Sequence, residues 1–197
     1  EFVSRKGRIV PVLIHSSPLT DDDGNFIGTM AFVTDMTEHK KALALAGEVQ
    51  KSLLPQSQPN INGFDIAGKN RSCDEIGGDY FDFILQGQSR GKINVVIGDI
   101  TGHGVDAALL MTTARGFLRM RAAQPGDAGQ IITDMNRHLA KDVLESGRFM
   151  TLFFITLDPD SNSFQWVRAG HDPALIYDPK TDTFETLLGK GTALGVD

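Results

Sequence analysis

The feature that most constrains the fold is a run of apolar residues that ends in an aspartate between glycines. Residues 94–104 read N-V-V-I-G-D-I-T-G-H-G, and Asp99 follows the β-branched residues that are typical of a buried strand. About 20 residues earlier, Asp79 opens a second strand-like run, G-G-D-Y-F-D. Carboxylate oxygens are the ligands that Mg²⁺ and Mn²⁺ prefer, and glycines let backbone carbonyls and water approach closely. The sequence therefore predicts that Asp79 and Asp99 bind a hard divalent cation.

The periodicity of apolar residues predicts the elements around these aspartates. Strands are expected over residues 64–71, 79–85, 93–99, 149–157 and 164–168, and a hairpin over 174–177 and 183–188. Two helices are expected between the third and fourth strands, one from residue 104 to about residue 124 and one over residues 131–144. Strands, two central helices and strands again predict an α+β fold, a layered β-sandwich with flanking helices. Asp82 is interpreted as a supporting or surface carboxylate, and Arg115 and Arg119 as exposed or ion-paired.

The N-terminal part has a different pattern. Residues 2–36 read as two long strands, joined by a turn at D-D-G-N (residues 22–25), because Gly and Asn tolerate positive φ. Residues 37–54 then read as a helix that Pro55 stops. Two interpretations of this helix stay open. It packs on its own domain, or Leu45 and Val49 belong to a short coiled-coil seam between two protomers.

Three motifs carry a family resemblance. G-G-D-Y-F-D, G-D-I-T-G-H-G and A-G-H-D-P (residues 169–173) together resemble the metal-dependent protein phosphatase (PPM) family. More narrowly, they resemble its bacterial branch of sporulation stage II protein E and stress-response serine phosphatases, over residues 46–197. The resemblance implies a pair of Mg²⁺ or Mn²⁺ ions held by Asp79, Asp99 and the carbonyl oxygen of Ile100. Water activated there would hydrolyse phosphoserine without a covalent phosphoenzyme.

The same resemblance implies that the family's domain continues beyond this sequence. Its T-D-G segment and its final aspartate, each a metal ligand, are expected and are not found in residues 1–197. The fold is therefore expected to be incomplete at the C-terminus. By the same reasoning, the chain alone is expected to be inactive and to bind the catalytic metal weakly.

The N-terminal strands and the following D-M-T-E-H-K (residues 35–40) resemble the end of a PAS sensor domain. The expected domains are a PAS-like hairpin (1–36), a helical linker (37–55) and a PPM-type phosphatase domain (56–197). The resemblance implies a phosphatase regulated by the PAS part, a homodimer formed through the linker, and a phosphorylated anti-sigma-factor antagonist as substrate. The alternative is a catalytically inactive signalling or dimerisation module with a degenerate phosphatase fold.

Composition excludes several other classes. The net charge of −6 argues against a nucleic-acid partner, and no apolar run approaches the length of a membrane span. The single cysteine, Cys73, is interpreted as a packing residue and fits a reducing cytoplasm. One cysteine and unclustered histidines argue against a redox or metal-storage protein. His103 and His171 are interpreted as loop histidines, although both are candidates for a general acid.

Overall fold

The computed structural model describes residues 1–72, 74–86 and 91–196, so the interpretation of Cys73 falls outside the described residues. The chain divides into two units, Glu1–Ala46 and Gly47–Asp197. In chain order, the elements are β1 (Phe2–Val3), β2 (Ile9–Val10), β3 (Val12–Thr20), β4 (Phe26–Asp35), α1 (Thr37–Leu53), β5 (Tyr80–Leu85), β6 (Ile93–Ile100), α2 (Val105–Ala122), α3 (Ala128–Val143), β7 (Met150–Asp158), β8 (Ser163–Ala169), β9 (Ala174–Asp178) and β10 (Thr183–Leu187). None of the helices in the described ranges combines the length and the apolarity that crossing a membrane requires.

The first unit is built on the hairpin that the sequence predicts. β3 and β4 pair antiparallel, from Val12 opposite Asp35 to Thr20 opposite Phe26. The Asp21 carboxylate closes the turn, because its Oδ1 atom accepts the backbone N–H groups of Asp23 (3.0 Å) and Asn25 (2.8 Å). Such Asx turns mimic a backbone turn and fix the chain reversal. β1 and β2 form a second, short antiparallel pair.

Helix α1 spans nearly the predicted range and has two different faces. It begins where the Asp35 carboxylate accepts the N–H of Thr37 at 2.8 Å, a hydrogen bond that stabilises a helix start. Leu45 and Val49 are 63% and 58% exposed, whereas Gly47 is buried. The boundary between the two units falls within this helix, after Ala46. The expected domain limits at residues 36 and 55 stay a prediction.

The second unit contains an antiparallel sheet of four strands in the order β5-β6-β7-β8. β6 and β7 pair along their whole length, although α2 and α3 lie between them in the chain. Both helices pack on one face of this sheet. Alternate strand residues and the apolar stripes of the helices form the core there, because successive strand side chains point to opposite faces. Its fully buried members include Tyr80, Ile100, Met111, Leu118, Ile131, Leu139, Leu152 and Phe154.

One predicted strand is wrong. Residues 64–71 form no strand and make only an isolated bridge between Ile61 and Phe64. The alternation in this segment is real, since Ile66 is buried. However, the segment continues with Gly68, Lys69 and Asn70, which have low β propensity. The predicted strands of the central sheet, both helices and the hairpin of β9 and β10 are confirmed.

Candidate metal centre

Asp79 and Asp99 meet at one end of the central sheet. Tyr80 pairs with Gly98, so the next position of the same register places Asp79 opposite Asp99. Asp99 in turn pairs with Thr151 on β7. Because Tyr80 and Gly98 face the core, their neighbours Asp79 and Asp99 lie on the opposite face of the sheet. Both aspartates are exposed there.

The two carboxylates are electrostatically coupled. The pKa of Asp99 is raised above its ordinary value, first because the surrounding protein removes part of its hydration and second because the Asp79 carboxylate lies nearby. Smaller effects of the Ile100 N–H and of His171 act in the opposite direction. Among the described residues, no lysine or arginine is within ion-pair distance of either carboxylate. The pair therefore carries negative charge that the protein does not neutralise.

The carbonyl of Ile100 lies against Gly78, the residue before Asp79. A side chain at Gly78 would place its Cβ atom 2.6 Å from the Ile100 carbonyl oxygen, so only glycine permits this approach. The described ranges contain no cluster of three or more His, Cys, Asp or Glu side chains placed to hold a metal. Asp79, Asp99 and the Ile100 carbonyl are the candidate donors at this end of the sheet. All three donors are oxygen atoms, which fits Mg²⁺ or Mn²⁺.

Two histidines lie on the loops of this end of the sheet. Thr151 Oγ1 and His171 Nδ1 are 2.8 Å apart, within hydrogen-bond distance, and Thr151 is the cross-strand partner of Asp99. His171 is thus held beside the carboxylate pair by a hydrogen bond, as a structural loop histidine would be. His103 lies exposed in the turn before α2.

The sequence reasoning missed Arg148, which fixes the loop that follows Asp99. Its Nη1 atom donates to the carbonyl of Thr101 at 2.7 Å, and its Nη2 atom pairs with Asp106. The Thr101 N–H also donates to the carbonyl of Phe149 at 3.0 Å. No motif signals this role, because the arginine lies 47 residues from the threonine that it holds.

The interpretation of Asp82 as a supporting or surface carboxylate is wrong. Its side chain is completely buried on the helix side of the sheet, two residues along β5 from the buried Tyr80. It accepts hydrogen bonds from Tyr80 Oη (2.8 Å) and from Arg119 Nε and Nη2 (2.6 and 2.5 Å), and Arg115 Nε lies 3.8 Å away. Burial, followed by the Asp82 charge, raises the pKa of Tyr80 well above its ordinary value. The expected ion pairing of Arg115 and Arg119 is confirmed.

The alternation of side chains along β5 indicates which face of the sheet Asp82 lies on. Residues 79 and 82 are an odd number of positions apart, so they point to opposite faces of one strand. Asp79 therefore faces the open side when Asp82 faces the helices.

Comparison with known proteins places the chain in a family. The model of the stage II sporulation protein E (SpoIIE) family matches residues 89–197. The chain belongs to the SpoIIE family. Among curated proteins, this SpoIIE-family chain is 30% identical over 159 residues to the phosphoserine phosphatase RsbU of Bacillus subtilis (strain 168). That match covers 81% of this chain and 46% of RsbU, so the chain spans less than half of this relative.

Solved structures show the same fold. The RsbU and RsbW domains of Rv1364c from Mycobacterium tuberculosis superpose with a TM-score of 0.54 at 28% identity, covering 64% of this chain and 34% of that one. The SiaA-PP2C domain of Pseudomonas aeruginosa gives a TM-score of 0.61 at 19% identity, covering 81% and 64%. PP2C is the fold of the metal-dependent protein phosphatases, so the expected α+β PPM fold and the SpoIIE branch are confirmed.

Proposed function

We propose that this chain is the catalytic part of a metal-dependent serine/threonine protein phosphatase that hydrolyses phosphoserine on a partner protein. One observation carries the proposal. Two electrostatically coupled carboxylates, with no described lysine or arginine within ion-pair distance, lie on the open face of the sheet in a chain that belongs to the SpoIIE family. Two adjacent unneutralised carboxylates are costly for a fold, and they are retained where a cation or a reaction uses them.

Asp79, Asp99 and the Ile100 carbonyl would hold the cations, two Mg²⁺ or Mn²⁺ ions in the proposed enzyme. Bound at such a site, divalent cations lower the pKa of water and offset the charge of a phosphoryl group. The fold of the chain positions these oxygen donors. The register of β5 and β6 brings Asp79, the residue before β5, opposite Asp99, and Arg148 fixes the loop after Asp99.

The substrate class that we propose is a protein carrying a phosphoserine. The similarity to RsbU, a phosphoserine phosphatase, supports this substrate class. We propose a phosphorylated anti-sigma-factor antagonist as the substrate, in the cytoplasm, with regulation by a PAS-like first unit through α1.

The alternative is a catalytically inactive signalling or dimerisation module. The apolar, exposed residues Leu45 and Val49 of α1 favour an association role, because α1 presents them to solvent about one turn apart. A homodimer through these residues is compatible with either function, so activity and association need separate tests.

Activity is tested with the full-length protein and a phosphoserine-containing substrate protein. We expect phosphate release that requires Mn²⁺ or Mg²⁺, stops on chelation by EDTA and returns when the cation is restored. Absence of cation-dependent release from phosphoserine substrates would favour the inactive module.

Association through α1 is tested by the double substitution Leu45→Asp and Val49→Asp. A charge buried in an apolar seam costs several kcal/mol unless it is paired, so we expect a shift from dimer to monomer in light scattering. Ala44→Asp, at another exposed position of α1, serves as the control and leaves the dimer intact. An unchanged oligomer in the double variant would show that these residues form no seam.

A further inference from the structure

Helix α1 holds the loop before Asp79 through one side chain. The amide of Gln50 makes two hydrogen bonds with the backbone of Gly77: Nε2 donates to the Gly77 carbonyl at 2.7 Å, and Oε1 accepts the Gly77 N–H at 3.1 Å. Both backbone polar groups of Gly77 are therefore bonded to a residue 27 positions earlier in the chain. An amide that donates and accepts at once fixes both the distance and the orientation of its partner.

A second contact brings the helix against the same loop. Gly47 lies three residues before Gln50, on the same side of α1. It is the one residue of α1 that is buried, and a side chain there would collide with the carbonyl of Glu75. The backbone of α1 thus packs directly on the backbone of the loop, and Gln50 sets the register of that contact.

The loop ends at a proposed cation ligand. Gly77 lies two residues before Asp79, and Gly78 packs on the Ile100 carbonyl on the β6 side. Residues 75–79 are therefore held from two directions, by α1 and by β6. Since β5 begins only at Tyr80, the position of Asp79 is not set by strand pairing alone.

We propose that Gln50 is a positioning residue, through which α1 sets the place of the Asp79 carboxylate and hence the cation affinity of the site. This inference deepens the proposed function and rests on it for the identity of the cation site. Groups that orient metal ligands typically contribute 10- to 100-fold to metal affinity. Gln50 acts on Asp79 through the backbone of Gly77 and touches no reacting atom.

The first test is hydrogen exchange of the metal-free, full-length protein, which needs no catalytic activity. Gln50→Met keeps the length of the side chain and removes both hydrogen bonds. We expect the Gly77 amide, which loses its hydrogen-bond partner, to exchange about 10-fold faster than in the wild type, and the amides of residues 78 and 79 to exchange faster as the loop loosens. Gln56→Met is the matched control, because the Gln56 amide donates to the carbonyls of Lys51 and Leu54 and, among the described residues, makes no hydrogen bond to the loop before Asp79. It leaves exchange at residues 77–79 unchanged.

The second test is calorimetric titration of the same proteins with Mn²⁺. We expect Gln50→Met to bind about 10- to 100-fold more weakly than the wild type and Gln56→Met to bind equally well. Wild-type exchange at residues 77–79 together with wild-type Mn²⁺ affinity in Gln50→Met would overturn the proposal. Equal losses in both variants would also overturn it, since they would reflect a general weakening of the helix end.

A third variant keeps the proposal testable if Gln50→Met does not fold. Gln50→Glu preserves the acceptor for the Gly77 N–H and removes the donor, so loop exchange accelerates less than in Gln50→Met. Exchange at residues 77–79 equal to the wild type in this variant would contradict the proposal. If the wild type releases no phosphate but Gln50→Met loosens the loop and weakens Mn²⁺ binding, the phosphatase proposal fails and the positioning role stands.

Discussion

The aspartates on the two faces of the central sheet differ in burial and in hydrogen-bond partners. On the helix face, Asp82 is completely buried and receives three hydrogen bonds from Tyr80 and Arg119. On the open face, Asp79 and Asp99 are exposed, lie opposite each other and have no cationic partner among the described residues. The strand β5 and the residue before it supply one aspartate to each face.

This difference indicates a structural role for Asp82 and a functional role for Asp79 and Asp99. A buried charge is stable only when paired and hydrogen-bonded, and the surroundings of Asp82 meet that condition. Asp79 and Asp99 repel each other, so their proximity stabilises nothing in the absence of a cation. We therefore expect removal of Asp82 to damage the fold and removal of Asp99 to damage only the function.

The largest effect on stability is expected from Asp82→Ala. Removing the Asp82 carboxylate leaves the buried Tyr80 hydroxyl and the largely buried Arg115 without their acceptor, while Arg119 is 41% exposed and regains water. The free energy of unfolding should fall by about 3 kcal/mol or more. Urea denaturation measures this loss. Asp106→Ala is the control, because Asp106 pairs with Arg148 but is 64% exposed, and such surface pairs contribute less than about 1 kcal/mol. Similar losses in the two variants would show that Asp82 has no special structural role.

A smaller effect is expected from Tyr80→Phe, which removes only the hydroxyl that donates to Asp82. Because the acceptor is a buried carboxylate, we expect a loss of about 1.5–3 kcal/mol in the same denaturation experiment. The chain offers a matched control in Tyr177→Phe, since Tyr177 Oη donates to Asp182 at 2.9 Å on the exposed surface. That variant should stay within about 0.5 kcal/mol of the wild type. If neither substitution changes the free energy of unfolding, the buried hydrogen bond between Tyr80 and Asp82 does not contribute to stability.

The smallest effect, of opposite sign, is expected from Asp99→Asn in the metal-free protein. The pKa of Asp99 in the fold lies above its ordinary value of 3.8, so this group's contribution to stability is present below pH 3.8 and is lost as pH rises through the raised pKa. At neutral pH, asparagine removes the cost of holding the charged Asp99 carboxylate in the fold. The free energy of unfolding should therefore rise by less than about 1 kcal/mol, which a higher melting temperature would show. The difference should shrink as pH falls towards 4. Destabilisation by Asp99→Asn at neutral pH would contradict the coupling of the two carboxylates.

Much of this arrangement could be predicted from the sequence, for identifiable reasons. The β-branched run of β6, the continuous apolar run of β7 and the change of period at the start of α2 predict these elements, because such signals are local. Asp79 and Asp99 were recognisable from their glycine contexts. Residues 64–71 failed as a strand because alternation shows which residues are buried but not whether the backbone finds a partner.

Gln50 and Arg148, which no local pattern marks, act over long sequence distances. Gln50 reaches Gly77, and Arg148 reaches the carbonyl of Thr101, through contacts that only the folded chain creates. A glutamine on a helix or an arginine before a strand has no local pattern that marks such a role. Asp82 is different, since its position two residues from Tyr80 already indicated the buried face.

The most direct test of the central claim is calorimetric titration of the full-length protein with Mn²⁺, combined with phosphate release from a phosphoserine substrate. We expect Asp99→Asn to bind Mn²⁺ at least about 10-fold more weakly and to lose nearly all release, while its fold is retained. Asp160→Asn removes an exposed charge from the turn at the other end of the sheet and should behave as the wild type. Wild-type Mn²⁺ affinity and turnover in folded Asp99→Asn would contradict the claim that the open-face carboxylates form the cation site.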